Sequence, residues 1–184
     1  MNVKKVGVLV GSLRKESFSK KLAQNVAMLF PEGYELEMVE IGNIPFYNQD
    51  FDDEDNLPAE IGEFRNKIAE LDAFLLITPE YNRSVPAVLK NALDTASRPM
   101  TDNKWSGKPA AIISQSPGGL GGFGANQHLR QTLTCLNVPV LQQPEAYIGN
   151  VATLLNENGE ITNEGTVEFL TKFVNKFVDL IEKY

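Results

Sequence analysis

Val6 to Val10 is a near-continuous apolar run that stops at Gly11-Ser12, and a helical stripe follows it: Leu22, Ala23, Val26, Leu29 and Phe30 within Ser19–Phe30. A run apolar on both faces predicts a central strand, and the i, i+3, i+4 spacing predicts a helix packed over it. Pro31-Glu32-Gly33 ends that helix. The next stretch, Tyr34–Ile41, alternates instead, with Leu36 and Met38 on one side and Glu35 and Glu37 on the other, as an edge strand with one wetter face does. A helix is predicted from about Pro58 to Leu71, a third strand over Ala73–Thr78, a helix over Pro86–Ser97, and a fourth strand over Pro109–Ser114. A helix from about Ala125 to Leu136 leads to a fifth strand in Val138–Leu141, resuming at Glu145–Gly149. The last helix carries Leu170, Phe173, Val174, Phe177, Val178 and Ile181 on one face.

Strict alternation of strands and helices predicts a three-layer α/β fold with a parallel sheet. With the alternating strand at an edge, the strand order becomes 2-1-3-4-5, the flavodoxin-like order. Ligands then collect beyond the carboxyl ends of strands 1, 3 and 4. The three unusual loops of the sequence lie at those ends. No repeat or linker divides the chain, so one domain over residues 1–184 is expected.

Composition narrows the function. The 184 residues carry a formal net charge of −7, which disfavours a nucleic-acid partner. One cysteine, Cys135, excludes an intramolecular disulfide and is expected to be a buried, inert thiol in its apolar setting. One histidine, His128, excludes a histidine metal cluster. The apolar runs are far shorter than the roughly 20 residues that cross a bilayer, and the N-terminal one is too short for a secretory signal. No membrane association is expected, and the expected location is the cytoplasm.

The first loop, "GSLRKESFS", joins a strand to a helix, where unpaired N–H groups and the positive end of the helix dipole favour an anion. Ser12, Ser17 and Ser19 offer hydroxyl donors and Arg14 a charge-assisted bond, a set suited to a terminal phosphate. A serine-rich cap with surface cations has the same composition. The loop has neither the dinucleotide G-x-G-x-x-G nor a nucleoside-triphosphate P-loop. The second, "TPEYNRSVP", puts an acid, an aromatic, an amide and an arginine at the end of a buried strand, able to meet the rim of a flat heterocycle. Ser84 there is also placed to cap the following helix. The third, "SQSPGGLGGFG", has five glycines, which let backbone approach a ligand and equally suit a mobile loop.

Taken in order and spacing, "GSLRKESFSKKLA", "TPEYNRSVPAVLKNALD" and "SQSPGGLGG…QHLRQTL" resemble the NAD(P)H-dependent FMN reductases, which include bacterial quinone, azo-dye and chromate reductases. The resemblance spans essentially the whole chain, and its most specific part is the PEYN-S-P segment. It implies a flavodoxin-like fold, FMN as cofactor and NADPH or NADH as electron donor. By motif position, Ser12, Arg14, Ser17, Phe18 and Ser19 would hold the FMN phosphate. Pro79, Glu80, Tyr81, Asn82 and Ser84 would line the isoalloxazine ring, and Ser114, Gly118 and Gly119 would close its other side. The resemblance also implies a homodimer or homotetramer. Two positions depart from the pattern: Gly124-Ala125 stands where an arginine precedes the alanine in relatives, and Ser19 where asparagine is frequent. Contacts made by that arginine are not carried over.

With FMN doing the redox chemistry, the protein needs to bind and orient, so no catalytic acid or base and no metal is nominated. The expected activity passes a hydride from NAD(P)H through FMN to a small-molecule acceptor: a quinone, flavin, azo or nitro compound, or oxidised metal ion. A flavodoxin-type carrier without NAD(P)H activity and a nucleotide- or phosphate-sugar-binding regulator are the competing readings. The Glu80 carboxylate is expected to meet water or a neighbouring subunit. His128 is expected to make a structural hydrogen bond on its helix, Asp50–Asp55 to form a solvated acidic loop, and Asn156–Gly165 to form a turn or short hairpin.

Overall fold

In the computed structural model, which describes residues 3–54 and 56–184, five strands form one sheet in the order β2-β1-β3-β4-β5. They are β1 (Lys4–Val10), β2 (Tyr34–Met38), β3 (Ala73–Thr78), β4 (Ala110–Gln115) and β5 (Ala146–Ile148). All four pairings are parallel, with Val6 opposite both Leu36 and Ala73. The helices are α1 (Phe18–Ala27), α2 (Asp50–Asp53), α3 (Ala59–Ala69), α4 (Ala87–Ala96), α5 (Phe123–Cys135), α6 (Val151–Leu154) and α7 (Glu164–Ile181).

Strand alternation builds two cores. Val6, Val8, Val10, Leu75, Ile77 and Ile113 face α1 and α7, where Leu22, Val26, Phe173, Val174 and Phe177 meet them. Leu9, Phe74, Leu76 and Ile112 face α3, α4 and α5 on the opposite side, around Trp105. Each large side chain so buried contributes about 1.5–3 kcal/mol. Trp105 satisfies its one polar atom by donating Nε1–H to the Leu93 carbonyl at 3.0 Å. Edge strand β2 is the least buried, as its alternation predicts.

Three expectations change. The fifth strand is Ala146–Ile148, whereas Val138–Leu141 touches the sheet through a single bridge between Val140 and Ala110. Pro139 has no N–H to extend that pairing. Cys135, the last residue of α5, is exposed, because Leu129 and Leu133 take the inward face. In the acidic segment, Asp52 is not solvated: Arg65 Nη1 and Nη2 donate to its two carboxylate oxygens at 2.6 and 2.9 Å. Asp55 lies outside the described residues. The 156–165 segment turns back as expected, with Leu155 bridged antiparallel to Ile161.

Candidate cofactor site

The loops after β1, β3 and β4 leave the sheet side by side. Gly11 N–H donates to the Ile77 carbonyl at 2.8 Å, which holds the first loop beside the strand that feeds the second. At the first loop, Ser17 is the N-cap of α1, its Oγ accepting from Lys20 N–H at 3.2 Å. Ser12 and Ser17 are nearly buried, Phe18 is half-buried and Arg14 is exposed. Ser19 differs: it is 0 % exposed, and its Oγ accepts from Gln115 Nε2 at 2.9 Å. Its hydroxyl is committed to the interior, behind the loop rather than at its surface.

The second loop is a two-residue hairpin. Tyr81 and Ser84 exchange both backbone hydrogen bonds, at 3.0 and 2.9 Å, across Asn82 (φ 49°) and Arg83 (φ 67°). Two consecutive left-handed residues make a type I′ turn, for which asparagine is suited and arginine is not. Strain of this kind persists where surrounding structure enforces it. Here two side chains do so. Glu80 Oε2 accepts from Ala125 N–H at 3.1 Å, placing its carboxylate on the positive end of α5. Ser84 Oγ lies 2.9 Å from His128 Nδ1, one turn further along α5. Thus the Glu80 carboxylate is tied to α5 instead of water or a subunit, and the Ser84 hydroxyl does not cap α4, whose N-cap is Pro86. His128 makes the structural bond expected of it, while Asp94 pairs with Lys90 at 2.8 Å. The Tyr81 ring stays 48 % exposed beside half-buried Pro79 and exposed Asn82.

Glu80→Ala is expected to lower stability by about 1–2 kcal/mol and Glu80→Gln by less than half of that, since glutamine keeps an acceptor for Ala125 N–H and loses only the charge. Urea unfolding of the two variants checks this.

Docking of the hairpin leaves little room at Gly124. A Cβ at Gly124 would lie 2.7 Å from the Arg83 carbonyl oxygen and 3.0 Å from Glu80 Oε2. Only glycine allows the hairpin to sit this close to α5.

In the third loop, Ser116 N–H donates to the Ile148 carbonyl at 3.1 Å and Ser116 Oγ to the Gly118 carbonyl at 2.8 Å. Gly118 and Gly119 are exposed, and a Cβ built on either meets nothing within 4 Å. Ser114 is 0 % exposed, its Oγ donating to the Ala146 carbonyl at 3.4 Å and accepting from Asn126 Nδ2 at 3.2 Å. It braces β4 against β5 and α5 and has no surface to offer a ring. Ser116 and Gln115 are the residues at this end that motif position did not single out. The polar SQS triplet was the available signal.

Tyr147, beside this loop, has its hydroxyl held neutral above the ordinary tyrosine range by burial and by the neighbouring Glu145 carboxylate. A cavity of about 520 Å³ lies elsewhere, along α4, between Phe46, Tyr47, Asn91 and Arg98. None of the residues of the three loops lines it, so hollow size alone does not locate this site.

The sequence profile of the family described as NADPH-dependent FMN reductase matches residues 4–153. The chain belongs to this family. A quinone reductase of Pseudomonas putida is 48 % identical over 178 residues, covering 96 % of this chain and 94 % of that protein. A 2-hydroxy-1,4-benzoquinone reductase of Burkholderia sp. is 44 % identical, covering 94 % and 93 %. Among solved structures, the flavoenzyme NAD(P)H:(acceptor) oxidoreductase FerB of Paracoccus denitrificans superposes with a TM-score of 0.91 at 42 % identity, covering 98 % of each chain. A flavodoxin of Pseudomonas aeruginosa, at 19 % identity and a TM-score of 0.58, shares the fold.

The residues present fit the family's cofactor. A serine-capped helix N-terminus with Arg14 before it, a docked hairpin with an exposed aromatic ring and two unobstructed glycines lie at the carboxyl ends of the neighbouring strands β1, β3 and β4, and a buried amide at the end of β4 has an unpaired oxygen, Gln115 Oε1.

Proposed function

We propose that this chain is an FMN-dependent oxidoreductase that takes hydride from NADPH or NADH and delivers reducing equivalents to a small-molecule acceptor, a quinone foremost. The observation that carries this reading is that the three loops leave the carboxyl ends of the adjacent strands β1, β3 and β4 in a member of the FMN reductase family. When bound, FMN supplies the redox chemistry. The residues bind and orient. Ser12, Arg14 and Ser17 hold the phosphate at the first turn of α1, with Phe18 packed beside them. Pro79, Glu80, Tyr81, Asn82 and Ser84 form one rigid wall for the ring, and Gly118 and Gly119 leave its other face accessible to donor and acceptor in turn. Ser19 and Ser114 lie behind the loops, Ser19 against Gln115 and Ser114 against Ala146 and Asn126. No side chain is assigned a proton transfer.

Leu13, Phe46, Tyr81, Leu120 and Phe123 are all exposed apolar or aromatic side chains near the carboxyl end of the sheet. Their exposure supports a homodimer or homotetramer that covers this end. No described helix is long and apolar enough to cross a membrane. We place the protein in the cytoplasm, where NAD(P)H is supplied.

The test is an absorbance spectrum of the protein loaded with FMN, followed anaerobically by one equivalent of NADPH or NADH. Bleaching of the flavin bands, and their return on adding a benzoquinone, is the expected result. Bands that persist with both donors would leave an electron carrier. Failure to take up FMN would overturn the site itself.

A further inference from the structure

Arg83 is the one cation in the two loops proposed to flank the ring, residues 78–86 and 114–124. It stands second in the type I′ turn at φ 67°, a place that glycine fills without strain and arginine does not. Docking of the hairpin on α5 enforces the turn, yet it gives no reason for arginine at this position. The side chain is 75 % exposed, so packing does not hold it either. Its Nη1 donates to Glu80 Oε1 at 3.4 Å, a long contact, and exposed pairs of this kind contribute little. The other Glu80 oxygen already accepts from Ala125 N–H. A guanidinium carries five N–H donors, so most of them face solvent at the tip of the hairpin. Backbone strain kept for a side chain with so few contacts inside the fold points to a partner outside it. The chain as a whole carries −7 and repels anions, so a cation at this place decides how one is received.

We propose that Arg83 is a specificity-determining residue that pairs with an oxyanion carried by a molecule reacting at the flavin, so that the site favours this molecule over the same one without that group. The chemistry recognised is a phosphate or sulfonate, which the planar guanidinium meets with two parallel hydrogen bonds. The 2′-phosphate of NADPH and an acid group on a quinone are its two sources. The inference rests on the FMN reading above.

The test compares FMN-loaded wild type and Arg83→Gly on two substrate pairs, each differing by one oxyanion. The pairs are NADPH against NADH, and a naphthoquinone sulfonate against its parent naphthoquinone. In the variant, kcat/KM is expected to fall about 3- to 10-fold for the oxyanion-bearing member of one pair or both, as for one screened charge-assisted bond. Values for NADH and the parent quinone are expected to hold, and the pair that responds names the source. Arg83→Lys is expected to keep part of the preference, and added salt to erode it in wild type. The urea midpoint of Arg83→Gly is expected to rise, because glycine relieves the turn. A midpoint that falls would make Arg83 a structural residue and overturn the proposal. Unchanged ratios in both pairs would overturn it as well, and loss of subunit assembly alongside them would give Arg83 to an interface between copies. Wild type that takes up no FMN, or whose flavin neither donor bleaches, would sink the FMN reading and this inference with it, a result distinct from the others.

Discussion

Asp52→Ala is expected to cost about 3–5 kcal/mol of folding stability, because it strands a buried arginine. Arg65 has 8 % side-chain exposure and Asp52 15 %, and the guanidinium grips both carboxylate oxygens in a fork while its Nε donates to the Thr95 carbonyl at 3.0 Å. Removing the carboxylate leaves an arginine that water does not reach. The Tyr47 hydroxyl, which donates to the same carboxylate at 3.0 Å, loses its acceptor as well. The consequence extends toward the second loop. Tyr47 N–H donates to Asn91 Oδ1 at 2.9 Å and Asn91 Nδ2 to the Pro45 carbonyl at 3.0 Å, so the segment after β2 is pinned onto α4, the helix that carries the PEYN hairpin. Urea unfolding followed by Trp105 emission measures the loss. The double variant Asp52→Leu/Arg65→Met is expected to recover most of it, because an ion pair of this kind repays little beyond its own desolvation.

The same pair carries a pH signature. Hydrogen bonds from Arg65 hold the Asp52 carboxyl below its ordinary value of 3.8, against the opposing effect of burial and with help from Tyr47. A depressed folded-state value means that the unfolded chain binds the proton first. The stability this carboxylate contributes is therefore complete above the unfolded value, near pH 4, and is lost as pH falls through the lower folded value. The gap between wild type and Asp52→Ala is expected to be constant from about pH 5 to 8 and to narrow below about pH 4. A gap that stays constant down to pH 3 would show that the proton is not shared in this way.

Sheet order was legible in the sequence because burial on one or two faces leaves different patterns: Glu35 and Glu37 mark an edge that Ala73–Thr78 cannot occupy. The fifth strand was less so. Val138–Leu141 is the more apolar segment, but pairing depends on backbone N–H groups and register, and Ala146–Ile148 is too short to advertise itself. The loops were found by their place at strand ends, yet the direction of each side chain was not. Ser17 and Ser19 read alike, and one caps α1 at its surface while the other is sealed against Gln115. Glu80 and Ser84 find partners on α5 some 45 residues away, a relation no local pattern records. Asp52 looked solvated among its acidic neighbours because its partner lies one helix further on.

Gly121→Ala is expected to destabilise by about 2–4 kcal/mol and to weaken FMN binding, whereas Gly118→Ala is expected to leave stability within about 0.5 kcal/mol and weaken only the binding. Gly121 has φ +60°, and a Cβ there would lie 2.5 Å from the Tyr147 carbonyl carbon and 2.9 Å from Ile148 N. Those are backbone atoms of β5, and β5 is held by its pairing with β4, so the clash cannot be relieved by a rotamer. The glycine lets the third loop pass directly over the last strand before Gly122, at φ +74°, starts α5. Displacing that crossing moves both the loop and the helix that anchors Glu80 and Ser84. Gly118 is the opposite case: its surroundings are empty to 4 Å, so the protein itself has no need of glycine there. The need would come from the flavin, whose face a new methyl group would meet. Denaturation of both apoproteins and titration of each with FMN separate the two roles. Stability of Gly121→Ala equal to wild type would refute the first, and wild-type FMN affinity in Gly118→Ala would show that the ring does not reach this part of the loop.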